Sequence, residues 1–561
     1  MAAASGTLKD RESCEKMRAR LILERSTWFQ RYRDLAQYLA PDRGRFWRTD
    51  RNRGVPKDQL IVDGSPLKYV EVSAAGMMAY LTSPSRPWFR LVTPDLDLMD
   101  DDEVKEWLYQ CEIRMREVFA KSNLYNALHI AYIDLLVFGT CAISMVKDEK
   151  DGMRFYVLPV GSYAVTQNER LDIDCLVREY QMTVRQVVER FGIDKCSTET
   201  QRLWNNGDTE TWIDIIHLTA PNSEYDKTKP LDKTKKRYRS VYYEQAQQDS
   251  RFLDETGFDQ FPVLCPRWTI TGEDVYGRSP GMTALPDVKQ LQTVVKRIGQ
   301  AVEKGVNPPL LAPTSMRNLP TSLLPGQITY TDVRDGQLGV RPLHQVSLDI
   351  SDAQALANEL RGRIASVFHA DLFQMWADID RRQMTAEETR ARQDEKSLNM
   401  GPVLERLGDE LYEPLIEFCF SDMLAAGMLP KPPPQIQGQQ LKIEFISILT
   451  QAQKMLSLSS VDRLASTGVQ LNEAMPGILD NLDGDELFRD YGSNLGVDPK
   501  FLRSKADVAQ MRQGRAQQAQ QQNAMQQMAI SARATKDMAN ADTSRQSALT
   551  DLAQGLNGAA S

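Results

Sequence analysis

The stretch LPDVKQLQTVVKRIGQAVEKG, residues 285–305, shows most clearly how this chain is built. Its apolar residues recur at steps of three and four, which is the period of an amphipathic helix: Leu285, Val288, Leu291, Val295, Ile298 and Val302. At 1.5 Å per residue, a helix of this length spans roughly 30 Å. Gly305 and the pair Pro308-Pro309 end the helix, because proline cannot continue one.

A second helix follows after an insert rich in proline, glycine and β-forming residues. The insert, residues 306–350, contains two short predicted strands, 326–330 and 339–343, around a turn. The helix after it covers residues 351–373 and has Leu356, Leu360, Ile364, Val367 and Phe368 on one face. We expect the two helices to run antiparallel, with the β insert at their far end.

A polar segment, residues 374–384, comes next. Its charged residues are Asp378, Asp380, Arg381 and Arg382. Thr385 and Glu388 then match the capping box, in which both side chains satisfy free N–H groups at the start of a helix. The sequence therefore predicts a loop that leads into a third helix.

This third helix is predicted to run to about residue 430 with a kink at Gly401-Pro402. Proline removes one backbone hydrogen bond and clashes with the preceding turn, so a bend is expected there. The helical period resumes after the kink in a stripe of leucines: Leu404, Leu407, Leu411 and Leu415.

Helical periods also mark residues 11–39, 70–81 and 102–119. Between residues 155 and 268 the pattern changes to short β-forming runs separated by turn signals, with one helix near 184–191. The predicted strands cover 155–158, 173–177, 213–218 and 240–243. The pattern therefore predicts an antiparallel sheet that carries one helix.

Several short motifs are spread along the chain: Leu81-Thr82-Ser83-Pro84-Ser85-Arg86-Pro87-Trp88-Phe89, Val177-Arg178-Glu179-Tyr180, Tyr276-Gly277-Arg278-Ser279-Pro280, Met384-Thr385-Ala386-Glu387-Glu388 and Gly427-Met428-Leu429-Pro430. In their order and spacing they resemble those of the portal proteins, or head-to-tail connectors, of short-tailed bacteriophages of the podovirus type. The resemblance covers most of the chain.

The resemblance implies an α+β, mainly helical portal fold with wing, stem, clip and crown, assembled as a ring. In chain order the parts would be the wing (1–284), stem helix (285–305), clip (306–350), returning stem helix (351–373), tunnel loop (374–384), kinked wing helix (385–430), crown (431–505) and a Gln/Ala-rich tail (506–561). For the tail we favour disorder in an isolated subunit over a helical barrel that forms only in the ring, because its apolar stripe is narrow.

The function implied is that of a dodecameric ring at one capsid vertex, through which double-stranded DNA is packaged, retained and ejected. The implied partners are terminase, major capsid and scaffolding proteins, tail adaptor and nozzle proteins and, as a possibility, internal core proteins. The protein would reside in the virion, and in the host cytoplasm during assembly. The alternative is another ring-forming head–tail adaptor or tail-tube component.

Two site expectations follow from the resemblance. The tunnel loop would narrow the channel, and its residues Arg381 and Arg382 would either contact DNA phosphates or pair with Asp378 or Asp380 of a neighbouring subunit. We also expect the apolar stripes of the stem helices, including Leu360, to form contacts between subunits.

Composition is compatible with a DNA conduit. The 561-residue chain carries a formal net charge of −8 and has a pI near 5.4, which argues against an extensive basic surface that grips DNA. The basic run at residues 227–239 lies beside Asp226 and Asp232, so a solvated loop is favoured over a nucleic-acid patch.

The cysteines and the N-terminus favour a soluble protein made in a cytoplasm. The seven cysteines are dispersed, with no C-x-x-C pair, and we expect free thiols. The N-terminus lacks an apolar signal region, and the most apolar run, 135–146, is too short to span a bilayer. We expect no contact with a membrane.

The sequence contains no complete enzyme signature. Gly277-Arg278-Ser279-Pro280-Gly281 fits the G-x-S-x-G pattern, with His344 and His369 downstream as candidate bases. The oxyanion hole of that motif needs the N–H of the residue after the serine, and Pro280 has none. The chain also lacks a phosphate-binding G-x-x-x-x-G-K-[ST] loop and an H-E-x-x-H zinc motif. We therefore expect no catalytic residue, no metal and no cofactor.

Overall fold

The computed structural model of the protein describes residues 10–46, 57–93, 101–148, 150–229, 232–246, 251–306, 310–311, 341–342, 350–373, 400–436, 442–445, 467, 484–485, 487–488 and 505–539. The chain divides into two units, Met1–Ser457 and Leu458–Ser561. The first unit contains every strand described below.

The helices of the first unit are α1 (Arg11–Leu39), α2 (Ser65–Leu81), α3 (Asp102–Lys121), α4 (Leu124–Phe138), α5 (Val184–Phe191), α6 (Thr198–Asn205), α7 (Pro280–Val306), α8 (Ser351–Val367), α9 (Gly401–Leu407) and α10 (Glu413–Ala425). A π-helical turn, Gly408–Tyr412, joins α9 to α10. The second unit contains α11 (Lys505–Ala539).

The strands are β1 (Phe89–Val92), β2 (Ile143–Asp148), β3 (Gly152–Val157), β4 (Tyr163–Gln167), β5 (Ile173–Thr183), β6 (Trp212–Pro221), β7 (Tyr238–Glu244), β8 (Asp254–Phe258), β9 (Val263–Leu264), β10 (Leu310–Leu311), β11 (Arg341–Pro342) and β12 (Lys442–Phe445). All pairings in the described part of the chain are antiparallel. The largest sheet has the order β4-β5-β6-β7-β8, a smaller one has the order β3-β2-β9, and β1 pairs with β12 and β10 with β11.

The five-stranded sheet is covered differently on its two faces. Helix α1 lies across one face, where Leu21 packs with Val177 and Leu218. Helix α5 covers part of the other face through Val187 and Phe191. Because side chains alternate along a strand, neighbouring residues of β5 point to opposite faces. Within residues 177–180, positions 177 and 179 therefore face α1, and positions 178 and 180 face the side that α5 covers.

The main core joins the helices to the small sheet. Helix α4 is buried almost all round, and its Asp134 carboxylate binds the Arg43 guanidinium at 2.6 and 2.9 Å. Burial raises the pKa of Asp134, and Arg43 opposes that rise. Helices α7 and α8 contribute Val288, Leu360 and Ile364 to the same core.

Several predictions from the sequence are confirmed. Helix α1 has the predicted bounds, and so does α5. The predicted strands correspond to β3, β5, β6 and β7, and the chain is α+β with a helical majority. The expectation of a single sheet with one helix is wrong, because β3 lies in the three-stranded sheet, β5, β6 and β7 lie in the five-stranded one, and α6 is a second helix of this region. All seven cysteines are free and buried. Apart from these confirmed predictions, no helix in the described ranges combines the length and the apolar character of a membrane span.

Several element predictions need correction. Helix α2 begins at Ser65 rather than at residue 70. Helix α7 begins at Pro280 rather than Leu285, since proline is well suited to the first turn of a helix. Helix α8 ends at Val367 rather than at residue 373. The strand pair of the insert joins 310–311 to 341–342, and only the second of these lies in a predicted strand. The other predicted strand, 326–330, lies outside the described residues.

The Gln/Ala-rich tail contains a long helix. Alanine, glutamine and methionine all favour helix, and α11 covers 35 residues of this region. This differs from the expectation of disorder. Its large apolar side chains are exposed in the single chain, and Met525 and Met528 are both 72% exposed. The barrel stays a prediction.

Candidate functional site

The helical hairpin of α7 and α8 is the best-defined feature of the predicted channel region. The Arg363 guanidinium pairs with the Asp287 carboxylate across the two helices. Five residues further along α7, Gln292 binds Asp63, which is also bound by Arg361 of α8. Residue numbers therefore rise along α7 in the direction in which they fall along α8. The two helices run antiparallel, as predicted.

Asp63, in the loop before α2, anchors both helices of the hairpin. The Gln292 side-chain amide accepts the backbone N–H groups of Val62 and Asp63 at 2.7 Å each and donates to the Asp63 carbonyl at 2.9 Å. The Arg361 guanidinium donates to Asp63 Oδ2 at 2.6 and 3.0 Å. Both Asp63 and Gln292 are buried. The base of the hairpin is therefore fixed to α2.

This anchor is expected to weaken in acid. Burial acts to raise the pKa of Asp63, but hydrogen bonds from Ser65 and the charge of Arg361 outweigh it and hold that pKa below its usual 3.8. A carboxyl with a lowered pKa stabilises the fold above its unfolded pKa, and that stabilisation is lost as the pH falls through the folded pKa. We expect Asp63→Asn to reduce the slope of unfolding free energy against pH below about pH 4. Denaturant titrations at pH 3 to 6 check this, and unchanged slopes would contradict it.

The end of α8 is set by His369. This residue has a φ of 57°, a left-handed conformation that ends the helix, so His369 does not lie on a helix face as predicted. The hydroxyl of Ser73 in α2 donates to the Phe368 carbonyl at 2.7 Å. Beyond this break, Phe373 packs on α2 at Gly76, where a Cβ atom would lie 2.3 Å from the Phe373 ring. Only glycine leaves room for that contact.

The predicted tunnel loop, residues 374–384, begins directly after Phe373. Asp378, Asp380, Arg381 and Arg382 lie outside the described residues, and so do Thr385 and Glu388 of the capping box. Both flanks are described: Phe373 and Met400 are buried in the main core. The segment between them therefore starts and ends on fixed points of the same core.

Gly401 and Pro402 form the first turn of α9, after Met400. Since the residues before Met400 lie outside the described part, the kink stays a prediction. The irregularity that the structure does describe comes later, in the π-helical turn Gly408–Tyr412. Pro414 accounts for it, because proline has no N–H for the Glu410 carbonyl and would clash with it in a regular helix.

The π-helical turn directs Glu410 onto a buried arginine. The Arg267 side chain is 2% exposed and pairs with the Glu410 carboxylate, with Nη2 to Oε1 at 2.7 Å. The Arg267 backbone N–H donates to Glu410 Oε2 at 2.8 Å. Its remaining N–H groups reach Gln167 at 2.9 Å and the Leu171 carbonyl at 2.7 Å. One side-chain pair thus joins the π-helical turn to the β4–β5 hairpin.

The G-x-S-x-G pattern has a structural role. The Ser279 hydroxyl is buried, donates to the Val137 carbonyl at 2.7 Å and accepts the Met282 N–H at 3.0 Å. It occupies the position before the first helical residue, Pro280, where serine commonly caps a helix. His344 lies outside the described residues. A buried hydroxyl that both donates and accepts a hydrogen bond is unavailable as a nucleophile.

The basic run at residues 227–239 is neutralised within the subunit at several points. Lys235 pairs with Glu224 at 2.6 Å, Lys236 with Asp259 at 2.7 Å and Arg239 with Glu255 at 2.8 Å. These pairs agree with the solvated-loop interpretation. Over the residues that the structure describes, no cluster of three or more His, Cys, Asp or Glu could hold a metal ion.

Sequence reasoning missed the anchoring residues. Gln292 gave the clearest available signal, since a polar residue beside Leu291 on an apolar stripe must find a buried partner. Asp63 precedes Gly64 and Ser65, a combination typical of turns. Nothing near Arg267 or Glu410 in the sequence indicates that they meet, because they lie 143 residues apart.

Comparisons with known proteins agree with this architecture. Residues 11–502 match the family described as "Bacteriophage head to tail connecting protein". The chain is 41% identical over 545 residues to the "Portal protein" of Salmonella phage epsilon15, covering 97% of this chain and 98% of that one. It is 40% identical over 538 residues to the "Probable portal protein" of Bordetella phage BPP-1, covering 96% and 97%.

Solved structures give a weaker likeness. A chain from the virion of a native gene transfer agent particle is 12% identical, with 78% of this chain and 95% of that chain covered and a TM-score of 0.34. A chain from the neck of the empty particle is 13% identical, with 82% and 98% covered and a TM-score of 0.36. These scores are low, so the assignment depends on the sequence comparisons. The chain belongs to the bacteriophage head-to-tail connector family, which includes the portal proteins of podovirus-type phages.

Proposed function

We propose that this phage portal subunit forms a dodecameric ring at one capsid vertex and that double-stranded DNA passes along the ring axis. The observation that carries the proposal is the 41% identity to a portal protein across 97% of the chain. Such coverage leaves little of the chain for another activity. The ring would serve genome packaging, retention and ejection, and tail attachment.

The exposed half of the α7–α8 hairpin supports its role as the stem. Val302 and Val306 of α7 are 44% and 82% exposed, and Leu356 of α8 is 38% exposed. Exposed apolar side chains that are grouped on one surface are commonly covered by a partner. Leu360 differs, since it is 1% exposed and packs in the core of its own subunit. The expectation that Leu360 contacts a neighbouring subunit is therefore wrong, and the exposed residues take that role.

The other parts of the ring are assigned by position in the chain. The wing would comprise residues 1–284 with 385–430, the clip 306–350 and the crown 431–505, while α11 would contribute to a helical barrel. The clip would face terminase during packaging and the tail adaptor and nozzle proteins later. Major capsid, scaffolding and internal core proteins would contact the ring from the head side.

The tunnel loop, 374–384, would narrow the channel. Phe373, which directly precedes the loop, and Met400, the next described residue, are both buried in the main core, which would hold this part of the chain against the passing DNA. The loop carries equal numbers of acidic and basic residues among Asp378, Asp380, Arg381 and Arg382. Such a balance would permit brief phosphate contacts without strong retention.

A head–tail adaptor or tail-tube component is the alternative, and the names of both curated relatives do not favour it. A hydrolase is disfavoured further by the bonded state of the Ser279 hydroxyl. We expect no enzymatic activity from the subunit itself. DNA translocation would then require a motor supplied by a partner.

Changing both Arg381 and Arg382 to Ala tests the role of the tunnel loop. If they contact phosphates, packaged particles should leak DNA sooner, and leakage should depend less on salt because fewer counterions are involved. If they pair with acids of a neighbour instead, the melting temperature of the ring should fall while DNA retention is kept. Arg202→Ala, on an exposed helix, is the control. Unchanged melting and leakage would mean that the loop does not line the channel.

A further inference from the structure

The motif Val177-Arg178-Glu179-Tyr180 contains an arginine that has no counter-charge among the residues that the structure describes. On one face of β5, Glu179 pairs with Arg18 of α1 at 2.7 Å. Arg178 and Tyr180 point to the opposite face, beside the area that α5 covers. Tyr180 packs against the cluster under α5, but the charge of Arg178 has no such role in the described part of the chain.

Arg178 is partly buried, and its Nε atom is buried without a hydrogen-bond partner. Its guanidinium lies 4.2 Å from the centroid of the Tyr180 ring. Within the described ranges, no carboxylate lies at ion-pair distance from Arg178. Two other arginines in the described ranges are paired with carboxylates, Arg43 with Asp134 and Arg267 with Glu410. Leaving such a group unpaired costs free energy, so an external partner is expected.

A second arginine adds to the positive charge of this face. The Arg190 guanidinium lies 4.9 Å from the centroid of the Tyr242 ring, and its Nη2 reaches the Tyr242 hydroxyl at 3.3 Å. Tyr242 in turn stacks on His217, with ring centroids 3.9 Å apart and an angle of 3° between the rings. The aromatic rings hold both guanidinium groups on one side of the sheet.

The pKa of His217 is affected by the positive charge of these two arginines. Burial, and then the charges of Arg178 and Arg190, lower the pKa of His217 to about 3. The imidazole is therefore neutral at physiological pH, and its Nε2 lies 2.8 Å from the Ser240 hydroxyl. The charge of the two arginines is not relieved by deprotonation, because arginine stays protonated in proteins.

We propose that Arg178 and Arg190 bind a carboxylate supplied by a neighbouring copy of this chain. This inference rests on the ring proposed above and names one of its contacts. A planar guanidinium with free N–H donors recognises a carboxylate through paired hydrogen bonds. Each copy has more acidic than basic residues, 76 against 68, so acidic side chains are abundant on the partner. A DNA backbone is a poorer match, because duplex binding uses rows of basic residues rather than two arginines between aromatic rings.

Chemical cross-linking of the Arg178→Lys variant tests the contact directly. The variant keeps the positive charge and introduces an amine that a carbodiimide can join to a touching carboxylate, with loss of water. In assembled rings of the full chain we expect a link between position 178 and an acidic residue of another copy. Peptide mapping would identify that residue. Rings that form but give no link at position 178 would overturn the inference.

The Arg178→Gln variant measures the energetic weight of the contact. We expect the concentration at which rings half-dissociate to rise at least about tenfold, since a charged hydrogen bond at each interface is lost. The melting temperature of the free subunit should stay unchanged. Arg202→Gln is the matched control, because Arg202 is exposed and pairs with Glu199 of its own helix at 2.7 Å.

The outcomes separate this inference from the proposed function. Rings of normal stability from Arg178→Gln would refute the carboxylate contact and leave the ring intact. Normal rings with weaker, less salt-dependent DNA binding would also refute it, in favour of a phosphate ligand. Failure of the unmodified chain to form rings under any condition would refute the proposed function together with this inference.

Discussion

Glu410→Ala should lower the free energy of unfolding of the subunit by about 3–5 kcal/mol, which is the usual cost of breaking a buried ion pair from one side. The Arg267 side chain is 2% exposed, and its charge would remain in the core without a counter-charge. Its bonds to Gln167 and the Leu171 carbonyl would persist, but these partners are neutral. Denaturant unfolding of the full chain measures the loss.

Glu199→Ala is the matched control for that change. It also removes a glutamate from an arginine pair, but the side chains of Glu199 and Arg202 are 64% and 66% exposed. Exposed pairs contribute about 0–1 kcal/mol. A second test combines Arg267→Met with Glu410→Leu, which should restore part of the stability because no charge is left buried. A loss below about 1 kcal/mol for Glu410→Ala would contradict the account of this pair.

Leu360→Asp should destabilise the subunit by about 5 kcal/mol or more. The change removes a buried leucine, which alone costs roughly 2–5 kcal/mol, and adds a carboxylate that must be buried or neutralised. Leu360 is 1% exposed and packs in the same core as Val288 and Ile364. We therefore expect loss of folded subunits, measured by thermal unfolding, and rings should be lost as a consequence.

Val302→Asp provides the contrast on the same hairpin. Val302 is 44% exposed, so the free subunit should keep its stability within about 0.5 kcal/mol. Rings should nevertheless weaken if this face is covered by a neighbour. Normal rings from Val302→Asp would argue against the stem contact, and a stable subunit from Leu360→Asp would argue against the core placement.

The parts of the fold that could be predicted are those in which periodicity coincides with burial. Helix α1 has a regular apolar stripe and ends before Pro41, and the strands of the large sheet are separated by clear turn residues. Helix α4 could not be recognised in this way, because it is buried almost all round and has no polar face to reveal a period. In the sequence, its C-terminal residues form only part of the apolar run 135–146.

The anchoring contacts were beyond prediction for a different reason. Asp63 and Gln292 meet across a separation of 229 residues, and their contact depends on the packing of three helices. The π-helical turn that presents Glu410 follows from Pro414, but a proline also permits a kink or a helix end. The left-handed backbone of His369 could not be predicted either, since histidine adopts this conformation more often than most residues but still only occasionally.

These anchors bear on the proposed channel. Asp63 fixes the base of the hairpin, and the contacts of Phe373 with Gly76 and of Met400 with the core fix the residues on either side of the segment 374–399. In the proposed ring, these fixed points would leave changes in channel width to residues 374–399.

The mass of the purified assembly, measured by native mass spectrometry and combined with class-averaged images viewed down the axis, tests the central claim most directly. The account predicts a closed ring of twelve copies of this 63.6 kDa chain with an open axial channel. Monomers or dimers at concentrations that saturate assembly, or open filaments in place of closed rings, would contradict it.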